Sequence, residues 1–204
     1  MLEIQSEKFV QFGVVSAPLK ELLNAVLKRI DKYGISKLIS VEPICLGDEN
    51  LSYYPCENLF ELHQSELNLF SMKGDVNSLF ISNLQDGWHS LFYGASLDLQ
   101  QDAVWLRSSY VEAAKENYVQ NFEVYRDGKI IRSVNLYCDK KWIFHEIGDK
   151  MSVESDFDYK NTLIKKRLTR LNLTRVLYEI FPGLSCKDDA AGYKILIRPQ
   201  SVVS

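Results

Sequence analysis

No stretch of this 204-residue chain is apolar over the ~18–20 residues a helix needs to cross a bilayer. The opening residues, MLEIQSEKF, lack the basic region and apolar core of a secretory signal, so a cytoplasmic protein is the expectation. Neither low-complexity sequence nor a Pro/Gly/Ser linker occurs, and no internal repeat matches in sequence. Charge of one sign is also missing. The 24 Lys and Arg stand against 27 Asp and Glu, a net charge of −3, which argues against a protein built wholly around phosphate-backbone binding.

The familiar catalytic signatures are absent too. Gly87 and Gly94 are too far apart for a GxGxxG loop, and there is no GxxxxGK[ST], GxSxG or SxxK. The four cysteines, Cys45, Cys56, Cys138 and Cys186, form no CxxC pair and no zinc spacing, and read as structural thiols. His63, His89 and His145 lie far apart in no ligand spacing. His145-Glu146 begins like HExxH, but position 149 is Asp and the segment reads as a strand. No cofactor and no metal is expected.

Average composition and 46% hydrophobic residues nevertheless suffice for a sizeable core. Residues 8–15 read as a strand. Ser16 and Pro18 then supply a cap and a helix-start proline, and Leu19, Leu22, Leu23, Val26, Leu27 and Ile30 form one apolar stripe that Gly34 ends. Residues 37–46 read as a strand whose Pro43 suits a sheet edge. The stretch 47–75 reads as a long connection with a short helix or strand. Ser78–Leu84 and Trp88–Tyr93 are expected to pair as a hairpin around 85–87, followed by a helix over 99–118. Asp127-Gly128 marks a hairpin between 120–126 and 129–138, with Trp142–Ile147 as a third strand. Phe122, Val124, Ile131, Val134, Leu136, Trp142 and Phe144 are candidates for its buried face. Helices over 161–171 and 172–181, then a strand at 193–198, complete the reading. The fold class is α+β, a mainly antiparallel sheet with a central meander packed on amphipathic helices. One domain over 1–204 is expected, with a subdivision into halves 1–75 and 76–204 left open.

Two constellations could carry function. Asp127 followed by Asp139-Lys140-Lys141 resembles the acid-then-DxK arrangement by which nucleases hold Mg²⁺, although two hairpin turns need the same residues. Charge is also segregated. Glu146, Asp149, Glu154, Asp156 and Asp158 face one base, Lys150, whereas 160–175 hold six bases and no acid. A basic active site would be approached faster by such clustered carboxylates.

Gly87-Trp88 opening a strand, a following helix, the hairpin strand with Arg132, and then Gly148…Glu154 form a recurrent order over roughly residues 78–155. This layout resembles immunity proteins of bacterial polymorphic and secreted toxin systems. The resemblance implies a non-enzymatic cytoplasmic protein that binds its cognate toxin and occludes the active site. Asp149, Glu154, Asp156 and Asp158 would be its contact residues, with Trp88 and Tyr125 as anchors. Membrane and nucleic acid are not expected as partners, and the alternatives are a metal-dependent nuclease or an accessory interaction protein.

Overall fold

In this computed structural model, residues 9–45, 65–82, 88–109, 118–185 and 190–197 are described. They form one antiparallel sheet of nine strands and three α-helices. In chain order the elements are β1 (Phe9–Val15), α1 (Leu19–Lys32), β2 (Ile39–Cys45), β3 (Ser65–Ser71), β4 (Ser78–Ser82) and α2 (His89–Leu99). There follow β5 (Ala103–Ser109), β6 (Val119–Arg126), β7 (Lys129–Asp139), β8 (Lys141–Ile147), α3 (Arg170–Ile180) and β9 (Ala191–Ile197). The strand order is β2-β9-β3-β4-β1-β5-β6-β7-β8.

The two ends of the sheet are built differently. β5 to β8 are neighbours in sequence and space, and the turns that join β6 to β7 and β7 to β8 are short enough to permit only antiparallel pairing. Asp127 (φ 49°) and Gly128 (φ 70°) turn β6 into β7, both at the positive φ that a type I′ turn requires. At the other end the last strand, β9, slots between β2 and β3, and β2 with its Pro43 is an edge.

Each sheet face carries its own core. On one, α1 and α2 press Leu22, Val26, Ile30, Leu91, Phe92 and Ala95 onto Val15, Leu67, Leu69, Phe80, Trp105 and Tyr125. Gly13 makes this contact possible: a Cβ there would sit 2.1 Å from the Phe92 ring. Arg29 grips Asp98 with Nε at 2.8 Å and Nη2 at 2.6 Å, tying the helices together. On the opposite face, α3 and the segment before it cover Phe12, Phe70, Val104, Leu106, Phe122, Val124, Val134 and Leu136.

Several expectations are corrected. Residues 88–93 are not a strand: the aromatic-rich run starts α2, whose Leu91, Phe92 and Ala95 share a buried face at helical spacing. Nor is 99–118 a helix where it is described, since 103–109 are β5. That strand is central and apolar on both faces, so its pattern matches helical spacing by coincidence. Residues 161–169 are irregular apart from a single 3₁₀ turn at Ile164–Lys166, and α3 starts where the Thr169 hydroxyl accepts from Asn172 N–H. Ser16 is no cap: Pro18 holds that position, and its carbonyl accepts from Glu21 and Leu22. Within 47–75, residues 65–71 are an interior strand, and the part over 47–64 lies outside the described residues.

Gly13→Ala is expected to destabilise the protein by about 1–3 kcal/mol through overpacking against Phe92. Urea unfolding checks this, and Phe92→Leu in the same chain should recover part of the loss.

Candidate interaction face

Arg132 projects from β7 into the core that α3 covers and is 1% exposed. Its Nη2 donates to Glu154 Oε2 and Glu146 Oε2, both at 2.6 Å, and its Nε lies 3.0 Å from Glu154 Oε1. Nη1 donates to the Ile147 and Gly148 carbonyls at 3.2 and 2.9 Å. Glu154 also accepts from the Tyr159 hydroxyl at 2.6 Å and the Met151 N–H at 2.9 Å. Every strong acceptor position of the carboxylate is therefore used inside the protein. Burial pushes the Glu154 carboxyl up, but hydrogen bonds from Arg132, Tyr159 and Met151 together with the guanidinium charge outweigh it and hold the group below its ordinary range. Gly148 (φ 82°) lets the chain leave β8 toward this cluster, because a Cβ would meet the Ile131 carbonyl at 2.0 Å.

The other side of β6–β8 is different. Cross-strand register places Glu123, Ser133 and Ile147 in one row, Asn121, Asn135 and His145 in the next, and Val119, Tyr137 and Ile143 in a third. α1 and α2 reach only as far as β6 here, through Phe92 and Tyr93 against Tyr125. Ile147 is 55% exposed, Ile130 42%, Tyr137 38% and Tyr93 37%. At the rim of the helices, His89 Nε2 lies 2.7 Å from Glu123 Oε2 and 3.0 Å from the Tyr125 hydroxyl, which itself donates to Glu123. Burial raises the Glu123 carboxyl, but bonds from His89 and Tyr125 prevail and lower it. Tyr125 is pushed up by burial and by the adjacent Glu123 carboxylate, which keeps its phenol protonated. Asn121 bonds to Asn135, and Asn135 Nδ2 donates to Ser133 Oγ at 2.9 Å. The result is a hydrogen-bonded polar centre ringed by exposed Tyr and Ile side chains.

These two environments separate the residues singled out from the sequence. Glu154 is corrected from a contact residue to the buried partner of Arg132, and Tyr125 from a surface anchor to a fully buried support beneath Tyr93. Asp149, Asp156 and Asp158 are exposed, on the segment that covers the α3 side of the sheet, and Asp156 is paired with Arg175 at 2.9 Å. Trp88, half-buried at the start of α2 with φ 57°, belongs to the opposite side. The acidic residues and Trp88 thus do not share one surface. Asp127 and Asp139 sit at opposite ends of β7, an 11-residue strand, on the order of 30 Å apart at ~3.3 Å per residue. They cannot hold one ion together. Among the described residues no group of three His, Cys, Asp or Glu side chains converges. Cys45 and Cys138 are free thiols, while His63, Cys56, Cys186 and Gly87 lie outside the described residues.

No family model, no curated protein and no solved structure matches this chain.

Of the basic residues in 160–175, Arg167 lies over the Phe144 ring at 5.5 Å, Arg175 over Phe157 at 5.1 Å, and Arg170 donates to Ser108 at 2.9 Å. These side chains pin the covering segment to the sheet. The open Tyr/Ile face was missed in the sequence. Alternation in 129–139 and 141–147 was a usable signal, since apolar residues occupy both faces there whereas one covered face needs only one.

Glu154→Ala should cost up to about 3–5 kcal/mol by removing the buried partner of Arg132 and leaving the guanidinium only the more exposed Glu146, and Arg132→Met with Glu154→Leu should cost less than either single change. Because the folded-state carboxyls of Glu154 and Glu123 lie below their ordinary 4.5, their stabilisation is complete above the unfolded value and is lost as pH falls below it. Thermal unfolding between pH 7 and 3 should show that loss, with a shallower slope in Glu154→Gln.

Proposed function

We propose that the protein is a stoichiometric binding inhibitor of the immunity type, acting in the cytoplasm on a cognate toxin through the open face of β6–β8. The observation that carries this reading is the composition of that face. Tyr93, Ile130, Tyr137 and Ile147 are exposed around the His89, Glu123 and Asn135 hydrogen-bond network. Aromatic and branched side chains on a rigid sheet, ringing polar groups already satisfied among themselves, bind protein with little loss of rotamer freedom. Inhibition by occlusion needs no cofactor and no proton transfer. No helix among the described residues is long and apolar enough to cross a membrane. Asp149 and Asp158, on the other side of the sheet, would steer the encounter rather than form its centre.

Co-expression with the toxin encoded beside it tests the reading. The wild type should restore growth and co-purify with the toxin. Tyr137→Asp or Ile130→Asp should weaken the complex by about 2 kcal/mol or more, roughly 30-fold, with unfolding unchanged. Reversing Asp149, Asp156 and Asp158 to Lys should alter mainly the association rate. Absence of both rescue and co-purification by the wild type rejects the proposal; loss of the complex only in the charge-reversed chain moves the contact to the acidic segment.

A further inference from the structure

The two edges of the sheet differ in a way that points to a second copy of this chain. β2 presents Glu42 and Pro43 at the middle of its edge, and Pro cannot donate to another strand. β8, at the other end, is seven residues of K-W-I-F-H-E-I with neither proline nor bulge. Among the described residues, no backbone hydrogen bond reaches β8 from its outer side. As the terminal strand of the sheet, β8 turns alternate N–H and C=O groups outward in a row, and another extended strand can satisfy such a row in register.

We propose that β8 pairs antiparallel with β8 of a second copy about a two-fold axis at Phe144, joining two nine-stranded sheets into one. The antiparallel register that uses all seven residues is the one centred there. It sets Lys141 against Ile147 of the other copy, Trp142 against Glu146, Ile143 against His145, and Phe144 against its own counterpart. No like charges meet. Glu146 is already turned toward Arg132 Nη2 and hydrogen-bonded to it before the strands approach. The most exposed apolar residue of the strand, Ile147 at 55%, gains the aliphatic stem of Lys141 as cover. A two-fold axis perpendicular to the sheet keeps both open faces on the same side. The rows Asn121–Asn135–His145 and Val119–Tyr137–Ile143 then continue into those of the second copy. The inference rests on the edge geometry and does not require the function proposed above.

Sedimentation equilibrium on the full chain tests it across a concentration series. The wild type should show a reversible monomer–dimer equilibrium. Ile147→Lys places Lys opposite Lys141 twice per dimer, and should weaken dimerisation by about 2- to 30-fold. Ile147→Glu makes two opposite-charge pairs and should at least preserve it. Lys141→Glu combined with Ile147→Lys should restore what Ile147→Lys alone loses. Thermal unfolding of each variant at a concentration where it is monomeric shows whether its fold is intact. A wild type that stays monomeric at high micromolar concentration overturns the proposal. So does a dimer that responds identically to Lys and Glu at position 147, which would place the contact elsewhere.

Discussion

An antiparallel sheet of nine strands presents two broad faces, and each patch of either face must be covered, polar or used. The three α-helices of the described residues do not roof both. α1 and α2 cover one face from β9 to the near side of β6, and α3 with its preceding segment covers the other as far as β8. What is left is one side of β6–β8, where Tyr137 and Ile147 remain exposed above a network of Asn, Ser, Glu and His. The location of the open face follows from where the helices end.

The buried Arg132–Glu154 pair governs the covered side. The segment 148–169 has little regular structure with which to satisfy its own backbone, so it depends on contacts to the sheet. Arg132 supplies them by binding Glu154, Glu146 and two carbonyls at once, while Tyr159 and Phe157 fill the space between. A buried ion pair of this kind adds little net stability over an apolar replacement, and its directional hydrogen bonds favour the arrangement of the segment seen here. Arg132, Gly148 and Glu154 meet at this point, where they fasten the covering segment; in the proposed reading, binding falls to the other side.

Much of the fold was legible where the signals were local. The α1 stripe, the Asp127-Gly128 turn, the edge proline at 43 and the final strand depend on neighbours within a few residues. Reading failed where burial on both sides erased periodicity. β5 is apolar on both faces and mimicked a helix, while α2, entered from Trp88 and carrying Phe92 and Tyr93 in its first turns, mimicked a strand. The site fared worse. Glu154 stood out for its charge, yet an acid on a loop and an acid locked beneath an arginine look the same in one dimension.

By itself, then, the sequence determined the α+β class, the strand meander after Asp127 and the segregation of charge near the C-terminus. These rest on composition and on short-range backbone chemistry. Only the tertiary structure decided which acids are buried, that Trp88 and the acidic segment belong to opposite faces, that Asp127 and Asp139 lie toward opposite ends of β7, and that β2 and β8 are the two edges of the sheet. Those outcomes depend on strand order and on which faces the helices reach, and both are set by contacts between residues far apart in the chain.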